Sequence, residues 1–158
     1  NDCEPIICFA QQAYGYGCKN DVLFAISTSG NSRNVLYAVV AAKAKGMHVI
    51  GVTSYNYTNN VTSRHSSGLL LKDVADTVLD ICGVYGDSVL EDERVSEKFC
   101  STSTVVAMTL LNGIVGEVIQ ILADRGINPP IWVSGNVDRG DEINGEHMKN
   151  YKGLVDII

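Results

Sequence analysis

The stretch D-V-L-F-A-I-S-T-S-G-N-S-R-N-V, Asp21–Val35, decides the fold. Its first half, Asp21–Ser27, is a short apolar run of strand formers between Lys19-Asn20 and Gly30, the pattern of a buried strand. From Ser32 to Lys45 the period changes. Val35, Leu36, Val39 and Val40 fall at helical spacing, and Gly46 is placed to end the helix. Met47–Thr53, M-H-V-I-G-V-T, is a second apolar strand. Strand, helix and strand in about thirty residues make one βαβ unit, whose crossover sets the strands parallel and right-handed.

The loop between the first strand and the helix is I-S-T-S-G-N-S, Ile26–Ser32. Open parallel sheets bind ligands at the carboxyl ends of their strands. A helix starting there directs free N–H groups and the positive end of its dipole at the loop. Ser27, Thr28, Ser29 and Ser32 add hydroxyls, Asn31 belongs to the same turn, and Gly30 permits a positive φ or a close backbone approach. These features suit a phosphate monoester. The loop lacks the lysine of a nucleotide P-loop and the G-x-G-x-x-G dinucleotide fingerprint. The competing reading is an ordinary helix cap and turn.

Elsewhere, Glu4–Tyr14 is expected to form a helix with Asp2 as cap and Gly15 and Gly17 beyond it. Ser54–Ser67 reads as a polar loop, Leu69–Val74 as a short helix and Asp76–Ile81 as a third strand. Gly83–Cys100 shows no periodicity and is expected to be a solvated surface segment. A long helix is predicted over Thr102–Asp124, before Gly126 and Pro129-Pro130, and a final helix near Asp141. The expectation is one α/β domain over 1–158. A doubly wound sheet has more strands than these three, and the first residue is Asn1, so an N-terminal portion is expected to be missing.

The 158 residues are 46% apolar and 19% charged, with a net charge of −6. That balance, without a clustered basic face, argues against a duplex nucleic-acid partner. No apolar run approaches bilayer length on inspection, and no signal-peptide pattern opens the chain, so no membrane association is expected. The five cysteines, Cys3, Cys8, Cys18, Cys82 and Cys100, form no C-x-x-C pair. Reduced thiols in a cytoplasmic protein are the simplest reading, with no metal site and no cofactor. The two N-x-T strings at Asn56 and Asn60 are taken as chance.

The segments Asp21–Val35 and Ala44–Ser54 resemble the phosphosugar-binding signature of the sugar isomerase (SIS) domain family. S-R-H-S-S-G-L-L-L-K-D-V-A-D (Ser63–Asp76), S-T-S-T-V (Ser101–Val105) and G-I-N-P-P (Gly126–Pro130) resemble its uncharacterised phosphosugar-binding members. The phosphate loop is also similar to that of phosphoheptose isomerases. The resemblance implies a three-layer α/β/α sandwich with a parallel doubly wound sheet, a phosphorylated-sugar ligand, and assembly as a homodimer or homotetramer. It also implies an aldose/ketose sugar-phosphate isomerase, or alternatively a non-catalytic phosphosugar sensor.

Isomerisation needs a group that moves a proton between adjacent carbons. Glu117 is the candidate base, on a small-or-polar stripe of the long helix with Thr109, Asn112, Gly113, Gly116 and Gln120. The opposite face carries Leu111, Ile114, Val115, Val118 and Leu122. In the phosphoheptose isomerase branch Gln and His ligate a metal on this helix. The matching positions here are Thr109 and Glu117, and Thr is a poor ligand. His65, in the polar loop after the second strand, is the second catalytic candidate. Ser103 and Thr104 either cap the long helix or face the sugar pocket.

Overall fold

The structure is a computed structural model and describes residues 5–153. The expected cap Asp2 lies outside the described residues. The chain divides into two compact units, residues 1–112 and 113–158, with the division inside one long helix.

In the first unit a 3-10 turn, Pro5–Ile7, leads into α1, Cys8–Tyr16. β1 (Val22–Ile26), β2 (His48–Thr53) and β3 (Thr77–Asp80) form a parallel sheet in the order β1-β2-β3. Val22 pairs with His48, and Ile50 with Thr77. α2, Arg33–Ala44, is the crossover between β1 and β2. Two four-residue helices follow β2: α3, Tyr55–Thr58, and α4, Leu71–Val74. The parallel sheet with interleaved helices is the α/β architecture expected from the βαβ pattern.

Strand alternation divides the core between the two sheet faces. Ala25 and Val49 point to the face where Leu36, Val39 and Ala42 of α2 and Leu71 of α4 bury them. This face is packed tightly enough that a Cβ on Gly51 would lie 2.9 Å from Ala75 Cβ and 3.2 Å from Leu71 Cγ. On the other face Val52 and Ile81 pack with Ala107. That second cover is partial, because Val22, Phe24 and Ile26 of the edge strand β1 stay 50%, 41% and 39% exposed. Asp76 fastens the first face at its end. Its carboxylate accepts from Val49 N at 2.9 Å and from Lys43 Nζ of α2 at 2.6 Å.

The segment 83–100 differs from its sequence reading. Ser88–Leu90 (β4) and Phe99–Ser101 (β5) form an antiparallel pair, with Leu90 opposite Phe99. Three-residue strands are too short to show a period of two. The tip between them carries the charge run, with ion pairs Arg94–Asp92 and Lys98–Glu91. The hairpin has a structural task. Asp87, in the left-handed region at φ 69°, lies just before β4. Its carboxylate accepts from Ser103 N at 2.9 Å and Ser103 Oγ at 2.6 Å, capping α5, Ser103–Asp124.

α5 also departs from expectation in apolarity. An 18-residue window has mean hydropathy 1.9, so by length and composition this helix is long and apolar enough to cross a membrane. Interspersed Thr, Asn and Gly hide that average from a search for unbroken apolar runs. Of its residues only Ala107 is buried, and Val105, Val115 and Val118 are exposed. In the second unit, α6 (Gly140–Tyr151) follows the tail loop. Asn144 of α6 binds both the N–H and the C=O of Val133, at 3.0 and 2.8 Å.

Candidate phosphate-binding loop

The loop from β1 into α2 is held by bonds that use its inner polar groups and leave its outer ones open. The hydroxyl of Ser27, 6% exposed, donates to Ser32 Oγ at 2.9 Å and accepts from Ser32 N at 3.4 Å. The Thr28 carbonyl accepts from Thr53 Oγ1 and Ser54 N, both at 3.0 Å, which continues the β1–β2 ladder past the strand ends. Gly30 turns the chain at φ +65°, donates to Ser27 O and accepts from Leu71 N at 2.9 Å. A Cβ here would lie 2.6 Å from Thr58 Cγ2, so side-chain space is absent as well as the ordinary backbone region.

The outer groups face a cavity of about 690 Å³ lined by Ser29, Asn31, Ser32, Arg33 and Asn34 from the loop and α2, together with Ile6, Tyr57, Val61 and Arg64. Ser29 Oγ accepts from Asn31 N at 3.3 Å, and Ser32 Oγ accepts from Ser27, so both hydroxyl protons remain available to donate into it. The first N–H groups of α2, at Arg33 and Asn34, meet no acceptor among the described residues. Among the described residues no carboxylate lines the cavity, and the two guanidinium groups make no ion pair. An anion at this end of α2 meets hydroxyls, free N–H groups and positive charge together.

The family model for the SIS domain matches residues 2–54, a segment that includes this whole loop. The chain is also similar to UPF0309 proteins. The relative from Geobacillus thermodenitrificans is 41% identical over 138 residues, 87% of this chain and 55% of the relative. That from Halalkalibacterium halodurans is 44% identical over 141 residues, 88% and 56%. The Streptomyces coelicolor relative is 43% identical over 131 residues, 83% and 52%. The chain thus spans about half the length of the curated relatives it matches. An SIS domain is a phosphosugar-binding fold, consistent with a sugar-phosphate ligand.

The sequence-predicted residues fall into three groups. Ser29, Asn31 and Ser32 line the cavity. Ser27, Thr28 and Gly30 shape the loop from within. His65, Ser103, Thr104 and Glu117 are not among the lining residues. The His65 ring stands edge-on to Tyr37 of α2 at 5.3 Å, and its Nδ1 is 2.8 Å from Ser67 Oγ. Ser103 is engaged by Asp87. Glu117 is exposed on α5, and Thr109 Oγ1 donates to Val105 O at 2.8 Å within the same helix.

Sequence reasoning passed over Arg33, Asn34, Tyr57 and Arg64. Arg33 and Asn34 lie inside the quoted signature, so their position was legible. Arg64 lies in the quoted segment Ser63–Asp76, but nothing in that segment ties it to the β1–α2 loop; the folded contact with Asn31 brings it to the cavity.

Proposed function

We propose that this chain binds a sugar phosphate through the β1–α2 loop, with Ser29, Ser32 and the opening N–H groups of α2 holding the phosphate and Ser27, Thr28, Gly30 and Asn31 shaping the loop. The single supporting observation is the convergence of unused hydroxyl and N–H donors on a cavity that no carboxylate lines among the described residues. A thermal-shift panel of aldose, ketose and amino-sugar phosphates tests it. A ligand at 100 times its Kd stabilises by about 2.7 kcal/mol, and Ser32→Ala reduces the shift. No shift from any of them at millimolar concentration removes the proposal.

The isomerase reading is carried by Glu117, an exposed carboxylate on a helix otherwise dominated by apolar and small residues. In this reading Glu117 is the proton-moving base, His65 assists ring opening, and Ser103 and Thr104 complete the sugar pocket. Glu117→Gln abolishes turnover while retaining ligand in an isomerase. Unchanged turnover clears Glu117 of that role, and a chain that binds without turnover in its native form is the non-catalytic sensor.

The exposed apolar residues of α5 support assembly as a homodimer or homotetramer, and a cytoplasmic location goes with the same reading. The exposed apolar side chains of Val22, Phe24 and Ile26 support a further layer over that face, as in a three-layer sandwich.

A further inference from the structure

We infer that the ligand carries a second acidic group beside its phosphate, a carboxylate or a second phosphate, and that Arg64 together with Arg33 receives it. The inference rests on the sugar-phosphate reading and adds the substrate class. The chain carries a net charge of −6, yet this cavity is lined by two arginines and, among the described residues, by no acidic one. Surface arginines in an acidic protein find carboxylates readily, as Arg94 and Arg139 do with Asp92 and Glu142. Arg33 and Arg64 have none among the described residues.

The neutral groups of the loop already provide for one phosphate. Two serine hydroxyls and the free N–H groups of α2 match the terminal oxygens of a monoester. The guanidinium groups are in excess of that need, and the cavity of about 690 Å³ has room for far more than one phosphate. Arg64 is also positioned by a device of its own. Asn31 Oδ1 accepts from Arg64 N at 2.7 Å, and Asn31 Nδ2 donates to Thr62 O at 2.8 Å. This clamp joins the 62–64 segment to the phosphate loop and sets the root of the Arg64 side chain beside it. A planar guanidinium on a fixed root suits bidentate contact with a carboxylate or phosphate, where lysine would offer a point charge.

Titration calorimetry on the chain with glucose 6-phosphate, 6-phosphogluconate, fructose 1,6-bisphosphate and gluconate tests the inference. Both doubly acidic phosphates are expected to bind about tenfold or more tightly than glucose 6-phosphate. Comparing the two tells a carboxylate from a second phosphate. Arg64→Gln brings the ratio of affinities towards one, and Arg64→Lys, which keeps charge but not the fork, restores part of it. Equal binding of glucose 6-phosphate and the doubly acidic ligands overturns the inference and leaves the sugar-phosphate reading intact. An Arg64→Gln loss of the same factor for every phosphate also overturns it, because Arg64 is then a ligand of the phosphate itself. Absence of binding by all three phosphates, or gluconate binding as tightly as 6-phosphogluconate, removes the sugar-phosphate reading and this inference with it.

Discussion

The side-chain amide of Asn31 clamps the backbone beside Arg64: its oxygen accepts from Arg64 N at 2.7 Å while its nitrogen donates to Thr62 O at 2.8 Å. Residues 33 positions apart are thereby held as one wall of the cavity, and the amide of Asn31 is used in support of the site. Asn31→Ala removes both bonds. A loss of about 1–2 kcal/mol in urea-denaturation stability is expected, together with a severalfold weakening of sugar-phosphate binding by calorimetry. Binding equal to that of the parent chain would show that the clamp has no bearing on the site.

Gly30→Ala acts on the loop backbone. The position has φ +65°, and a Cβ would meet Thr58 Cγ2 at 2.6 Å. Backbone strain and the clash together are expected to cost on the order of 2–4 kcal/mol. Urea midpoints measure it, and a loss under about 1 kcal/mol would mean that the loop relaxes without strain.

Asp87 is the cap of α5 supplied from a distant hairpin. Asp87→Ala removes the acceptor for Ser103 N and Ser103 Oγ and puts alanine at φ 69°. The expected loss is about 1–2 kcal/mol. Asp87→Asn keeps a side-chain oxygen and tolerates the left-handed region, so it should lose less than half as much. Equal losses for the two variants would contradict the capping role.

Asp76 gives the fold an acid limb. The hydrogen bond from Lys43, then that from Val49 N–H, holds its carboxyl below the ordinary value of 3.8. The unfolded chain therefore binds more protons near that pH. The contribution is full above 3.8 and is lost as pH falls through the lower folded value. Asp76→Asn should lower the urea midpoint at neutral pH and flatten its fall below about pH 4. Curves for the two proteins that stay parallel through the acid range would exclude this linkage.

The βαβ unit was legible because its information is local. Apolar residues at strand length, then at helical spacing, then at strand length again locate β1, α2 and β2 without any tertiary contact. Gly46, at φ +74°, ends the helix where a glycine is needed. The loop composition likewise named Ser27–Ser32 together, and only the folded loop separates Ser29, Asn31 and Ser32, which line the cavity, from Ser27, Thr28 and Gly30, which do not. The hairpin β4–β5 was not legible, because each strand spans only three residues and their pairing depends on contacts across the charged tip.

What the linear order of residues decides by itself is the parallel α/β frame and the hydroxyl-rich turn at the end of its first strand, since both follow from periodicity and from the backbone freedom of one glycine. Tertiary packing alone decides which polar groups are spent inside the loop and which stay open. It also brings Arg64 in through Asn31 and turns His65 onto Tyr37. Those outcomes depend on hydrogen bonds and ring contacts between segments some thirty residues apart, and no spacing rule along the chain encodes them.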